Sequence, residues 1–263
     1  MFRSGNPALK VFDNPQTIAG FDRTQSRAMT VQGTVNAAFI LVSLCAAGAI
    51  GSWWYLSSGA ASGLVAPVLL GGLIGGGLLG LIISFSPRTA PYLSPIYAIC
   101  EGALMGALSL AVATRFKTPT GAGTGIIFQA VFLTFGIFAA LLLAYTMRLV
   151  RVGTTMQRWV CAALGGVCLF YVAGVLLRFC GIQMPLFHEM FGWGKAGMIG
   201  IGFSSFMLVL GSLFLVMDFQ AIEAGAKAGA PKYMEWYGAF SLLVTLVWLY
   251  VEALRLLSKL RDR

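Results

Sequence analysis

The sequence predicts an all-α integral membrane protein with seven transmembrane helices in one bundle, and three observations lead to this fold class. Hydrophobic residues make up 58% of the 263-residue chain and charged residues only 10%, whereas soluble domains have about 45–50% and about 25%. Seven apolar runs are long enough to cross about 30 Å of hydrocarbon at about 1.5 Å per residue. The alternation of apolar and polar residues typical of a membrane β-barrel is absent. An ordinary soluble enzyme, a disordered chain and a secreted disulfide domain are therefore excluded.

The chain begins with a polar segment, residues 1–30, that we expect outside the bundle. It contains two Asn-Pro pairs, Asn6-Pro7 and Asn14-Pro15, which favour turns. It lacks the apolar core of a signal peptide at the usual distance. The remainder divides into a seven-helix transmembrane domain, residues 31–260, and a short basic tail, residues 261–263.

The first predicted helix ends in the aromatic residues Trp53, Trp54 and Tyr55, which are typical of the membrane interface. The second helix reads GGLIGGGLLG and the third begins at a proline. The fourth and fifth are continuous apolar runs, and the long aromatic link GIQMPLFHEMFGWGK after them is predicted to be interfacial. A short polar link joins the last two helices. The seven runs are placed at about 31–56, 64–85, 95–114, 125–150, 159–180, 196–222 and 234–257.

Glycine residues recur four apart in the second and third helices. Gly72 and Gly76 form one such pair, and Gly102 and Gly106 form another. Small residues at this spacing let the backbones of two membrane helices approach closely. We interpret them as tight packing within a monomer rather than as a dimer interface.

The net charge of +9 reflects 18 Lys and Arg against 9 Asp and Glu. These basic residues lie between the apolar runs, where membrane topology explains them. Nucleic acid is excluded as a partner because no basic stripe with interleaved aromatics exists; the expected partner is the lipid bilayer. With the N-terminus inside, the inner segments hold 10 basic residues and the outer ones 4, or 8 with the C-terminal residues included. The N-terminus is therefore predicted to be cytoplasmic, and only a half-inserted segment would bring the basic tail to the same side.

Neither a metal site nor a catalytic motif is predicted. The five cysteines form no C-x-x-C motif, and the single histidine, His188, has no second histidine to share a metal. A nucleophile elbow, paired histidines and a phosphate loop are also absent from the sequence. We therefore expect no cofactor and no enzymatic activity.

Three carboxylates clearly lie within predicted helices, away from the first turn: Glu101, Asp218 and Glu252. Ionisable residues in the membrane are costly and are functional candidates. Glu101 and Asp218 are predicted roughly 6–9 Å below the same inner surface. We therefore expect them to face each other and to bind a cation or sense pH, with Ser241 and Thr245 level with Asp218.

Each charged residue also has a structural alternative. Asp218 could accept a hydrogen bond between helices, and Glu101 could pair with the nearby Tyr97. For Glu252, an ion pair with Arg255 three residues later is the favoured explanation. Arg88, in the link between the second and third helices, is a candidate gating partner for the acids and equally a topology-setting arginine.

The end of the chain, LFLVMDFQAIEAGAKAGAPKYMEWYGAFSLLVTLVWLYVEALRLLSKL, resembles the Bax inhibitor-1/YccA (TMBIM) family. The shared features are a sixth helix closing on an aspartate, a short polar link, and an aromatic-rich seventh helix ending in acid-x-x-Arg-Leu-Leu. The Glu-Gly of SPIYAICEGALMG in the third helix supports this. The first thirty residues look like those of the bacterial YccA-like branch.

The resemblance implies a bundle whose seventh helix is surrounded by the other six, in a bacterial inner membrane. It also implies a pH-sensitive calcium leak, gated by paired aspartates on the last two helices and an arginine after the second. Asp218 matches the first aspartate and Arg88 the arginine. Thr245 stands where the second aspartate is expected, with Glu252 two turns further on. Glu101 is our candidate for supplying the missing charge.

Two functions follow as hypotheses. The first is a cation leak with calcium as the permeant ion, in which hard oxygen ligands attract the ion and protonation alters the flux. The alternative is a non-conducting regulator of membrane protein quality control or stress survival, which contacts a membrane protease or other membrane proteins. Secondary transport would require broken helices and inverted repeats, and neither is clear.

Overall fold

The computed structural model describes residues 28–58, 62–116, 122–150, 152–180, 187, 189–190, 192–193 and 197–262. Within these residues the chain forms seven long α-helices and no β-strand, apart from an isolated bridge between Ala28 and Pro231. All seven helices are long and apolar enough to cross a membrane, which confirms the predicted fold class. The polar segment up to residue 27, His188 and residue 263 lie outside the described residues.

Short links join the helices, and 3-10 turns at Ser62–Leu64 and Pro87–Thr89 precede the second and third. Thr30 caps the first helix, because its hydroxyl accepts a 2.9 Å hydrogen bond from the Gly33 amide. In chain order the helices are α1 Val31–Ser57, α2 Val65–Phe85, α3 Ala90–Arg115, α4 Ala122–Thr146, α5 Thr154–Phe179, α6 Met198–Lys227 and α7 Met234–Arg261.

Several helices extend further than their apolar runs predicted, and α3, α6 and α7 matter most for the site. Helix α3 begins at Ala90, because Pro91 in its first turn is compatible with a helix start. Pro95, where the apolar run was predicted to begin, therefore lies inside the helix. Helix α6 continues to Lys227, where Lys227 and Glu223 form an ion pair one turn apart. Helix α7 continues to Arg261.

These longer helices place two candidate acids deeper than predicted. Glu101 lies eleven residues into α3, and Asp218 lies nine residues before the end of α6. At about 1.5 Å per residue, these positions are about 16 Å and about 13 Å from the helix ends. Both carboxylates are therefore closer to the middle of the bundle than to its surface.

Helix α7 occupies the centre, as predicted. It packs against α1, α3, α4 and α6 rather than against all six other helices as the resemblance implied, because in the described residues α2 packs mainly against α3 and α5 mainly against α6. Its consecutive residues Gly238, Ala239 and Phe240 are all buried, and since successive residues point about 100° apart, this part of α7 is enclosed on most sides. Among the described residues, α3 and α6 share no comparable contact with each other, so α7 lies between them.

The outer helices present large apolar side chains away from the bundle. Phe85 of α2, Phe132 of α4 and Leu169 of α5 are 87%, 76% and 73% exposed. A soluble protein rarely exposes so much contiguous apolar surface. These faces are suited to contact with lipid.

Close approach of two backbones explains the glycine pair of α3. A Cβ atom at Gly102 would overlap the Cys45 carbonyl of α1, and one at Gly106 would overlap the Ala49 carbonyl. The α1–α3 contact is thus the kind of packing that the four-residue spacing predicted. On α2 the same spacing has mixed roles: a Cβ at Gly72 would meet Leu104, whereas one at Gly75 would meet open space.

Candidate functional site

The side chain of Asp218 lies between α6 and α7 and is held by two hydroxyl groups. Ser241 donates a 2.6 Å hydrogen bond to Oδ1, and Thr245 donates a 2.6 Å hydrogen bond to Oδ2. Both carboxylate oxygens are therefore occupied by donors from the same helix. We call these three residues the Asp218 site.

Local structure positions the two hydroxyls. Ser241 and Thr245 are four residues apart on α7, so they share one face of the helix. The Thr245 hydroxyl also lies 3.2 Å from the Ser241 carbonyl of the preceding turn. A tight link between α6 and α7, with Gly229 in the left-handed region at a φ of 67°, lets the two helices return side by side. The register of this hairpin sets the two donors opposite Asp218.

The residues on either side of Asp218 in α6 are apolar. Its neighbours in sequence, Met217 and Phe219, belong to the packed interior, and Phe219 is only 7% exposed. Asp218 forms no ion pair with any other described residue. Its charge is thus held by hydrogen bonds alone, an arrangement that can accept a proton or a passing cation.

The structure does not bring Glu101 to this site. Glu101 lies where α3 meets α1 and α2: Cys45 of α1 is near it, Tyr97 is its hydrogen-bonding neighbour one turn earlier, and a Cβ at Gly76 would be 2.7 Å from its Oε1. The expectation that Glu101 and Asp218 face each other is wrong. The two acids were matched by depth alone, whereas the central α7 separates the helices that carry them.

Arg88 also lies apart from the acids. It is exposed in the turn before α3 and forms no hydrogen bond or ion pair with the described part of the chain. The turn at Pro87–Thr89 places Arg88 at the surface of the bundle. Its predicted role as a bridge to Asp218 or Glu101 therefore finds no contact here.

Glu252 forms the local pair that its spacing predicted. Its Oε1 accepts a 2.6 Å hydrogen bond from Arg255, three residues later on α7. The pair is deeply buried, with Glu252 only 3% exposed, and the Arg255 guanidinium lies 5.2 Å from the centre of the Trp193 ring. Glu252 lies seven residues after Thr245, in the half of α7 that leads to its C-terminal end.

A family model described as Bax inhibitor 1 like matches residues 9–262, almost the whole chain. The chain belongs to the Bax inhibitor 1 like family. No curated protein and no solved structure shows a significant match. The bacterial YccA-like branch stays a prediction.

In this Bax inhibitor 1 like protein, the most deeply buried basic residue among those that the structure describes was not predicted from the sequence. Lys259 is 1% exposed, and its Nζ donates to the Met190 carbonyl at 2.8 Å, the Gly200 carbonyl at 3.1 Å and the Ser204 hydroxyl at 3.0 Å. In the sequence, Lys259 counts only as one of the basic residues near the C-terminus. Lys259 lies seven residues after Glu252, so the two side chains are on one face of α7. This spacing was the feature of the sequence from which a buried lysine could have been predicted.

The C-terminus is attached to the bundle by a further contact. Arg115, at the end of α3, donates to the Trp193 carbonyl at 2.7 Å and lies 3.4 Å from the Asp262 carboxylate. Three basic side chains, Arg115, Arg255 and Lys259, thus contact the segment between α5 and α6. They close the end of the bundle at which α3 and α7 terminate.

Proposed function

We propose that this protein is a slow, pH-dependent cation leak with calcium as the permeant ion, and that the Asp218 site controls it. The observation that carries the proposal is a carboxylate, near mid-depth in a membrane bundle, that two hydroxyls hold without any basic partner among the described residues. Membership of the Bax inhibitor 1 like family supports it, because the resemblance implies such a leak and matches its first aspartate to Asp218.

The donor set suits a hard cation that passes rather than stays. Calcium prefers six to eight oxygen ligands, whereas the Asp218 site offers the two carboxylate oxygens and the hydroxyls of Ser241 and Thr245. A permeation site must bind an ion strongly enough to admit it and weakly enough to release it. Partial coordination with remaining water ligands meets that requirement.

The same hydrogen bonds provide a reason for pH dependence. Hydrogen bonds to a charged group contribute about 1.5–3 kcal/mol each, against about 0.5–1.5 kcal/mol for neutral ones. Protonation of Asp218 therefore weakens both contacts between α6 and α7. We expect the closed arrangement to loosen and the flux to increase as pH falls.

This proposal is narrower than the one the sequence suggested. Glu101 lies on the other side of α7 and Arg88 at the surface, so neither takes part. The missing second aspartate is replaced by two neutral hydroxyls, Ser241 and Thr245. One acid with two hydroxyl donors gives a single titrating group in place of a coupled pair.

The alternative is a non-conducting regulator that acts through contacts with a membrane protease or other membrane proteins. It is favoured by the complete occupation of the Asp218 oxygens, because a carboxylate with two short hydrogen bonds can simply hold α6 against α7. In that case Asp218 affects stability and no ion crosses. Calcium flux into proteoliposomes, compared between wild type and Asp218→Asn, distinguishes the two functions.

We further propose that the protein lies in the bacterial inner membrane with its N-terminus in the cytoplasm. The C-terminal basic residues had weighed against this orientation. Lys259 is buried against carbonyl groups and Arg255 is paired with Glu252, so neither is a free charge that competes in setting topology. Setting Arg255 and Lys259 aside leaves 10 inner against 6 outer basic residues, which still favours the cytoplasmic N-terminus.

A further inference from the structure

A cavity of about 520 Å³ lies between α1, α3, α4 and α7. It contains none of the three residues of the Asp218 site, and α1 and α4 stand on either side of it without packing against each other in the described structure. Its volume is in the range of about 300–1,000 Å³ typical of ligand sites. The cavity is therefore a feature separate from the proposed ion site.

The wall of the cavity is almost entirely apolar. The hydroxyl groups in the wall already have partners: the Ser109 and Tyr250 hydroxyls lie 2.6 Å apart, and Thr134 donates to the Ala130 carbonyl at 2.8 Å. Thr124 also makes an interaction within the protein. Apolar cavities of this kind stay dry and bind apolar molecules. Water and polar ligands are poor occupants for the same reason.

The position of the cavity indicates which apolar molecule can reach it. Its α1 wall runs from Val42 to Trp53, eleven residues or about 16 Å along the helix, which is about half of the 30 Å hydrocarbon layer. Its α4 wall starts at Thr124, close to the beginning of that helix. The length of the cavity thus matches one leaflet, and it lies in the half of the bundle toward which α1 and α3 end and in which α4 begins, beside the middle of α7.

We propose that this cavity binds one acyl chain of a phospholipid from the adjacent leaflet. The acyl chain enters between α1 and α4, with Trp53 near the headgroup level, and reaches Thr134 and Val42 at mid-bilayer. It fills a space that side chains leave open and separates α1 from α4. The proposal concerns binding and does not depend on whether the protein conducts ions.

Buried residues of the cavity wall allow an acyl chain inside the cavity to be distinguished from the lipid that surrounds the protein. Met105 and Leu246 line the cavity and are only 7% and 8% exposed, so lipid at the outer surface cannot touch them. Phe132 and Leu169 are exposed and lie outside the wall. The protein would be reconstituted in phosphatidylethanolamine and phosphatidylglycerol vesicles with a trace of phosphatidylcholine that carries a diazirine in mid-chain. After illumination, the labelled residues would be mapped by mass spectrometry.

We expect label on Met105 and Leu246 as well as on Phe132 and Leu169. A matched pair of variants then tests the cavity itself, because Ala46 lines it and its neighbour Ala47 does not, although both are exposed. Ala46→Trp should reduce labelling of Met105 and Leu246 to the level without illumination, and Ala47→Trp should leave it unchanged.

Two results would overturn the proposal. The first is label confined to exposed residues such as Phe132 and Leu169 in the wild type, which would mean that protein side chains close the cavity in the bilayer. The second is equal labelling of Met105 in Ala46→Trp and Ala47→Trp. If Ala46→Trp fails to fold, the wild-type labelling of Met105 and Leu246 decides the question alone.

Discussion

The hydroxyl of Thr245 donates a 2.6 Å hydrogen bond to Oδ2 of Asp218, across the contact between α6 and α7. Ser241 donates to the other oxygen at the same distance. The central helix α7 and its neighbour α6 are therefore joined through one ionisable group. Any change in the charge of Asp218 acts directly on that contact.

Removing the two donors while keeping the acid should separate their effects. We expect the double substitution Ser241→Ala with Thr245→Val to cost about 1–3 kcal/mol per lost bond and to raise calcium flux at neutral pH, because the contact between α6 and α7 is weakened. Thermal unfolding in detergent and flux in proteoliposomes measure the two effects. Unchanged flux in a measurably destabilised variant would show that these bonds do not restrict an ion path.

Glu101 should not contribute to the pH response. Its carboxylate lies against α1 and α2, and α7 separates it from Asp218. The Glu101→Gln variant is therefore expected to keep both the size and the pH profile of the wild-type flux. If Glu101→Gln shifted the profile as strongly as a change at Asp218, the two acids would have to be coupled, contrary to their placement.

Bundle architecture was largely predictable from the sequence, because long apolar runs and their short links leave few alternatives. The sequence did not predict which helices distant along the chain contact each other. Equal depth suggested that Glu101 faces Asp218, but depth fixes only the position along the membrane normal and says nothing about which helix lies between. The hydroxyls of Ser241 and Thr245 were placed correctly because they are on the helix that follows α6 through a short link.

The buried Lys259 was missed for a related reason. Its ammonium is stabilised by the carbonyls of Met190 and Gly200. Every residue has a main-chain carbonyl, so the sequence does not show which carbonyls a lysine will contact. We expect Lys259→Met to destabilise the protein by about 1–3 kcal/mol, because three acceptors lose their donor. Lys227→Met is the control, since the Lys227 side chain is 73% exposed and its ion pair with Glu223 lies near the surface. Equal thermal stability of the two variants would contradict this account of the C-terminal end.

Glycine at the α1–α3 contact provides a test of the fold. We expect Gly106→Ala to cost about 1–3 kcal/mol, because the new methyl group would overlap the Ala49 carbonyl. Gly75→Ala, where a Cβ meets open space, should be neutral or slightly stabilising, because alanine favours the helix more than glycine does. The unfolding temperatures of the two variants in detergent measure the difference. A larger loss of stability in Gly75→Ala than in Gly106→Ala would contradict a close contact at Gly106.

The most direct test of the central claim is calcium flux into proteoliposomes across a pH series, for wild type, Asp218→Asn and Glu223→Gln. Glu223→Gln is the matched control, because it removes the same charge from the same helix outside the Asp218 site. We predict that wild type and Glu223→Gln show flux that increases as pH falls. Asp218→Asn should show a flux that hardly varies with pH and that already exceeds the wild-type value at neutral pH. An Asp218→Asn variant that retains the wild-type flux and pH profile, or a wild type with no flux above empty vesicles, would contradict the claim and favour the regulator.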